Sequence, residues 1–424
     1  MSQATLDALR RGDLAGAREL RLAGCGLTEF PREILDLAET LEFLDLGGNA
    51  LTALPEDFGR LARLRVLFGS ANRFAVLPPA LGDCAALSQV GFRATGMREV
   101  PAEALPPRLR WLTLTDNRIA ALPAALGQRP ALQKLMLAGN ALAALPESLA
   151  QAPALELLRI GANRFEALPG WLAEHPTLAW LGLAGNPALE GPAPAARLVP
   201  WAALMPGALL GEGASGHVHH ALWRDDPPRE VALKLFKGAM TSDGLPRHEM
   251  AACRAAGAHP NLVGALGEVA DHPEGRAALL MPLIPPGWRA LAGPPSLESC
   301  TRDAYAPGLR LEAGAALRLA RGIAAAAAHL HAAGVLHGDL YAHNILWDGA
   351  TGAAVLGDFG AAALLRGGHA ALLRTELRAF GILLEELSAL AGGEDTRLRA
   401  IARRCRAPRP AERPGMAEVA AALR

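Results

Sequence analysis

A nine-residue pattern, L-x-x-L-x-L-x-x-N, returns along the first half of the chain with a period that leaves little freedom of fold. It occupies Leu41–Asn49, Leu64–Asn72, Leu87–Thr95, Leu109–Asn117, Leu132–Asn140, Leu155–Asn163 and Leu178–Asn186, and a degenerate first copy runs Ala17–Cys25. The closing positions are 25, 49, 72, 95, 117, 140, 163 and 186, so the spacing is 22 to 24, most often 23. Six residues after most of them comes a proline: Pro31, Pro55, Pro78, Pro101, Pro123, Pro146 and Pro169. One copy cannot bury its own leucines, so copies must stack, each adding a short strand to a shared core. The closing Asn carries donors and an acceptor that can bond backbone groups where the chain turns. Residues Thr5–Leu14 read as an amphipathic helix, part of a cap over residues 1–16 that closes the N-terminal end.

Over about residues 17–190 this pattern resembles the leucine-rich repeat family, with the short L-P-x-x-L style common in bacterial proteins. The resemblance implies an α/β solenoid whose strand residues between the core leucines face the concave side. One such column runs Glu19, Phe43, Val66, Gln89, Trp111, Lys134, Leu157, Trp180, and the next Arg21, Asp45, Phe68, Gly91, Thr113, Met136, Arg159, Gly182. Phe43, Phe68, Trp111, Met136 and Trp180 are expected to be exposed there, as residue types that anchor protein interfaces.

The chain is 424 residues long, enough for two domains with real cores. Its 42 acidic and 42 basic residues cancel, and no basic block stands out, which argues against a nucleic-acid partner. The five cysteines, Cys25, Cys84, Cys253, Cys300 and Cys405, are scattered and form no C-x-x-C pair, so neither a disulfide framework nor a zinc site is expected. The first residues lack the apolar core of a signal peptide, and no run of 18 apolar residues exists. A cytoplasmic protein without a membrane span is expected, with export by a route lacking a recognisable signal as the alternative.

Residues 191–206 break the period. Their prolines read as a stiff, extended linker, whose own Leu198, Val199 and Trp201 could pack on one domain. Beyond it, Gly211, Gly213 and Gly216 fit G-x-G-x-x-G-x-V, with Ser215 inside and Val218 at the end. Glycines there let backbone amides approach phosphates. V-A-L-K follows at 231–234, including Ala232 and Lys234. Of the 42 basic residues only Lys134, Lys234 and Lys237 are lysines, so a lysine placed here is informative. A forked, bulkier guanidinium is a poor substitute for a compact ammonium. Glu249 lies 15 residues on, in a helix that Gly257 should end. Of eight asparagines, six close repeats, one is Asn261 in H-P-N-L-V, and the last is Asn344. Residues 337–360 then set Asp339, Asn344 and Asp358 in H-G-D-x-x-x-x-N and D-F-G, the trio that phosphoryl transfer from ATP requires.

Together these residues resemble the eukaryotic-like protein kinase family over 207–424, with an N-lobe at 207–282 and a C-lobe at 283–424. The whole chain looks like the bacterial leucine-rich-repeat protein kinases, a multidomain α/β solenoid followed by a minimal bilobal α+β protein-kinase-like domain. The resemblance implies a Lys234–Glu249 ion pair, Asp339 as catalytic base, and Asn344 and Asp358 as Mg²⁺ ligands. It also implies an ATP site bounded by Gly211, Gly213, Ser215, Gly216, Val218, Ala232 and Lys234, with Met281 at the back of the adenine pocket and Pro282–Ile284 as hinge. Arg413 in A-E-R-P matches the late arginine of the C-lobe.

Three departures stand out. The usual Arg before the catalytic Asp is Gly338, and the lysine two places after it in Ser/Thr kinases is Tyr341, near His343. Residues 359–374 contain no Ser, Thr or Tyr, so activity should not depend on phosphorylation there. The A-P-E triplet is missing, and Glu376 stands where an aspartate usually braces the catalytic loop. The expected function is an ATP–Mg²⁺-dependent Ser/Thr/Tyr protein kinase of minimal form, with the repeats binding a protein partner or substrate. A small-molecule kinase of the aminoglycoside or choline kinase type, which also lacks A-P-E, and a catalytically weak pseudokinase scaffold are the alternatives.

Overall fold

The computed structural model describes residues 2–192, 194–213, 215–238, 240–241, 243–393 and 395–424. The chain divides into two compact units, Met1–Pro169 and Gly170–Arg424.

In the first unit, helix α1 (Ser2–Arg10) buries Leu6 and Leu9. It begins earlier and ends sooner than the expected Thr5–Leu14. Gly12, in the left-handed region at φ 78°, donates its amide to Leu9 O and closes the helix. Seven three-residue strands follow: β1 (Glu19–Arg21), β2 (Phe43–Asp45), β3 (Val66–Phe68), β4 (Gln89–Gly91), β5 (Trp111–Thr113), β6 (Lys134–Met136) and β7 (Leu157–Arg159). Each pairs in parallel with the next, in the register of the repeat: Leu20, Leu44, Leu67, Val90, Leu112, Leu135 and Leu158 lie side by side. These central residues are buried, as alternation in a strand requires. The return path is a 3-10 turn, and Pro31, Pro55, Pro78, Pro101, Pro123 and Pro146 each stand just before one. Proline presets its own φ and blocks a helix from starting earlier.

The closing asparagines act as the pattern predicts. Asn72 donates to Leu46 O (2.8 Å) and Gly69 O (3.1 Å) and accepts from Leu51 N (2.9 Å). Thr95 lacks a side-chain amide, and Asn117 of the following copy bonds it instead. The Asn117 Oδ1 accepts from Thr95 N, Thr95 Oγ1 and Met97 N, while Nδ2 donates to Phe92 O and Leu114 O.

The strand-face residues correct one expectation. Phe43 is buried, not exposed: its ring meets Phe68 edge-on at 5.8 Å and lies under the Arg21 guanidinium. Phe68, Trp111 and Met136 are half-buried. The Trp111 indole donates to Thr113 Oγ1 and carries the Lys134 ammonium 3.9 Å from its ring centre. Trp180, also expected on that surface, is 1% exposed and belongs to the second unit.

The second unit is a bilobal α+β structure. It begins with the eighth copy of the repeat pattern, whose strand is β8 (Trp180–Gly182). The proline-rich stretch then supplies β9 (Leu198–Pro200), and β10 (Leu204–Glu212), β11 (Gly216–Trp223), β12 (Arg229–Phe236), β13 (Gly267–Ala270) and β14 (Ala278–Pro282) complete a six-stranded sheet ordered β10-β11-β12-β14-β13-β9. All its pairings are antiparallel except β13 with β9. Val199, Leu204, Trp223, Val231, Leu233, Leu235 and Leu280 fill its core, with Trp201 packed against them. Helix α2 (Pro246–Ala256) starts with proline at its first position and stops at Gly257, φ 61°. The other lobe is built on α3 (Ala313–Ala332), α4 (Leu373–Leu390), α5 (Thr396–Cys405) and α6 (Met416–Leu423). Small alanines on α3, many of them buried, let its neighbours approach closely.

Candidate active site

Strand β12 is buried between β11 and β14, and Lys234 sits in it opposite Val218 and Leu279. Helix α2 brings Glu249 to the same place, and the Lys234 ammonium donates to its Oε1. Both side chains are buried, at 10% and 3% exposure. Burial pushes the Glu249 carboxyl up and wins over the attraction of Lys234. Burial pulls the Lys234 ammonium down, but the Glu249 and Asp358 carboxylates outweigh it and hold it above its ordinary value.

A cleft of about 260 Å³ opens beside this pair, lined among others by Gly213, Ser215, Gly216, Val218, Met281 and Asn344, with Asp358 and Phe359. Gly211 and Ala232 are not among its lining residues. Gly211 faces open space opposite Val218, and Ala232 is buried beside Met281 in the sheet register. Ala214 lies outside the described residues. Gly213 donates to Gly216 O at 2.9 Å, and a side chain at Gly216 would meet Leu235 O at 2.5 Å, so the loop is pressed onto the sheet there.

Across the cleft, His337 is fully buried. Its Nδ1 accepts from Asp339 N at 3.3 Å, which leaves Nε2–H to donate to Gly357 O at 2.9 Å. One imidazole thus ties the H-G-D turn to the D-F-G turn. Asn344 donates from Nδ2 to both Asp339 O (2.9 Å) and Asp339 Oδ2 (2.8 Å), leaving its amide oxygen for the cleft. Asp358 is exposed and left-handed at φ 53°, and its Oδ1 accepts from Gly360 N. Strained backbone of this kind gathers at functional sites. Glu376, fully buried, accepts from Gly338 N at 2.7 Å and pairs with His331 Nε2 at 2.7 Å.

Two contributors escaped the motif reading. Asp303 accepts from His343 N (3.1 Å) and pairs with His343 Nδ1 (2.7 Å). Burial pulls His343 down, yet Asp303 and the nearby Asp339 and Asp358 hold its pKa above the ordinary value. Asp303 stands in C-T-R-D, which belongs to no motif and offered no signal. Lys237 did carry one, being one of only three lysines. Its ammonium bonds Glu212 Oε1 (2.5 Å) and Gly213 O (3.0 Å), clamping the stem of the glycine loop.

Residues 204–378 match the sequence model of the protein tyrosine and serine/threonine kinase family. Residues 107–165 and 40–61 match leucine rich repeat models. Among curated proteins, the chain is 35% identical over 136 residues to Podocan of Mus musculus, covering 31% of this chain and 21% of Podocan. It is 28% identical over 126 residues to the leucine-rich repeat and calponin homology domain-containing protein 1 of the same organism, covering 29% of this chain and 18% of that protein. The matches thus span about a fifth of those relatives. Fold and matches together define a multidomain protein with a leucine-rich repeat solenoid. To it is joined a Ser/Thr/Tyr protein kinase domain, the bilobal unit that holds the cleft.

Proposed function

We propose that the chain is a working, ATP-dependent protein kinase of minimal form that phosphorylates protein hydroxyls. The observation that carries this is the closed Lys234–Glu249 pair, facing the same cleft as Asn344 and Asp358, with Asp339 bonded to Asn344. In this reading Lys234 meets the α- and β-phosphates, Asp339 orients the acceptor hydroxyl, and Asn344 with Asp358 holds Mg²⁺.

The donor set fits the ion. An amide oxygen and an exposed carboxylate are hard ligands, and Mg²⁺ is usually held by one or two protein groups plus nucleotide phosphates. When bound, Mg²⁺ neutralises charge on the phosphates. The protein's part is positioning: Gly213 and Gly216 admit the phosphates, and Lys237 steadies the loop.

Control by activation-loop phosphorylation is not part of the proposal. The first hydroxyl after Asp358 is Thr375, which is buried and donates to Leu372 O at 2.7 Å. Partner binding is assigned to the strand face of the first unit, where Phe68, Trp111 and Met136 stay partly exposed. A cytoplasmic setting and bacterial origin, suggested by the scattered cysteines of the sequence and by the two-part arrangement, belong to the same proposal. No helix among the described residues is long and apolar enough to cross a membrane.

The test is to incubate the chain with γ-labelled ATP and Mg²⁺, alone and with cell extract, and to separate protein from small molecules. Label should enter the protein fraction. Label entering only small molecules would overturn the protein-kinase reading.

A further inference from the structure

The eighth copy of the repeat pattern touches the catalytic loop on both sides of Asp339. The Trp180 ring is stacked on Tyr341, with centroids 4.2 Å apart and planes within 4°. Its indole N–H donates to Leu340 O at 3.1 Å. The Arg302 guanidinium lies 5.3 Å from the indole centre. On the other side of Asp339, Gly338 has φ 73°, and a side chain there would come within 2.5 Å of Leu181 O and 2.8 Å of Ala361 O. Glycine is therefore needed twice over, for its conformation and for the close approach of β8. Arg413, almost fully buried, ties the same copy down, donating to Pro176 O (2.8 Å), Arg374 O (2.9 Å) and Ala407 O (3.0 Å).

These contacts fall where the sequence departs from the kinase pattern. Gly338 replaces an arginine, Tyr341 replaces a lysine, and the A-P-E platform is missing. We propose that the eighth repeat is a built-in positioning element of the kinase site, in which Trp180 holds Leu340 and Tyr341 and thereby aims Asp339 at the acceptor hydroxyl. The inference rests on the protein-kinase reading for its effect on turnover. A stacked aromatic pair and a buried indole hydrogen bond together restrict the loop backbone beside the base. A small misplacement of a catalytic group lowers turnover without changing how the nucleotide binds. Trp180 is thus a positioning residue, since it reaches the reacting atoms only through the loop.

The test uses the full chain and the variants Trp180→Ala, Trp180→Phe and Tyr341→Leu. Two readouts are taken: hydrogen exchange of amides 338–343 by mass spectrometry, and kcat and KM for ATP by label transfer. Trp180→Ala should speed exchange in that segment about tenfold. It should lower kcat about 10- to 100-fold while KM for ATP changes little. Trp180→Phe keeps a ring on Tyr341 but loses the N–H, and should restore part of both. Tyr341→Leu should resemble Trp180→Ala, which keeps the test decisive if the latter does not fold. Unchanged exchange in the segment, or a kcat that falls only with the folded fraction, would overturn the proposal. If the parent shows no Asp339-dependent transfer, the kinase reading fails by itself, and the exchange result alone decides whether Trp180 holds the loop.

Discussion

The Lys234–Glu249 pair shows why a buried ion pair responds unequally to losing either partner. Removing Glu249 takes the hydrogen-bonded partner from a buried ammonium beside Cys253 and Phe236 and leaves it only the charge of Asp358. Removing Lys234 leaves a carboxyl that burial already pushes up to about 7, so it can take a proton and go neutral. Glu249→Leu should therefore cost about 3–5 kcal/mol, and Lys234→Met clearly less, as read by chemical denaturation near neutral pH. Equal losses would mean that the carboxylate is not the strained partner. Glu376 gives the acid-side counterpart. Burial raises its pKa, but the His331 hydrogen bond and charge, with the Gly338 amide, hold it below the ordinary carboxyl value. A depressed carboxyl contributes stability above its unfolded pKa and loses it as pH falls through the folded one. The melting temperature should fall on acidification below 4.5, and Glu376→Gln should flatten that acid limb. An unchanged limb in the variant would assign the acid sensitivity elsewhere.

At the scale of elements, the repeat is a ladder in which Asn49, Asn72, Asn117, Asn140 and Asn163 each bind the copy before them. Asn117 is buried and satisfies three acceptor contacts, because Thr95 has no side-chain amide to offer. Asn49 is only part-buried and accepts from Leu27 N alone. Asn117→Ala should cost about 3 kcal/mol, from lost bonds and stranded backbone groups, and more than Asn49→Ala in the same unfolding experiment. This ladder was legible in the sequence because it follows a period: register, core leucines and turn prolines all repeat. The strand face was less legible. Alternation says that Phe43 points away from the leucine core, but not that Phe68 and Arg21 would cover it. The helix end at Arg10 was also missed, since Gly12 stops it through a left-handed turn that apolar periodicity does not register.

At the scale of the molecule, the motifs of the candidate site were readable because the proposed phosphoryl transfer needs particular atoms at particular offsets. Asn344 and Asp358 line the cleft with Lys234 and Glu249, and Asp339 is bonded to Asn344. What surrounds them was not readable. Asp303 lies about 40 residues from His343 in a segment without a motif. Trp180 reaches Leu340 across 160 residues, from a repeat whose pattern speaks only of its own core. The chain divides between Pro169 and Gly170, while the repeat period runs on to Asn186. The most direct measurement is the rate of γ-phosphoryl transfer from Mg²⁺–ATP to protein by the full chain and by Asp339→Asn, with ATP affinity measured in parallel. The expected result is a loss of about 10²- to 10⁴-fold in rate with ATP affinity retained, because Lys234, Asn344 and Asp358 are untouched. Equal rates in the two proteins, or no transfer by either, would contradict a protein kinase working through Asp339.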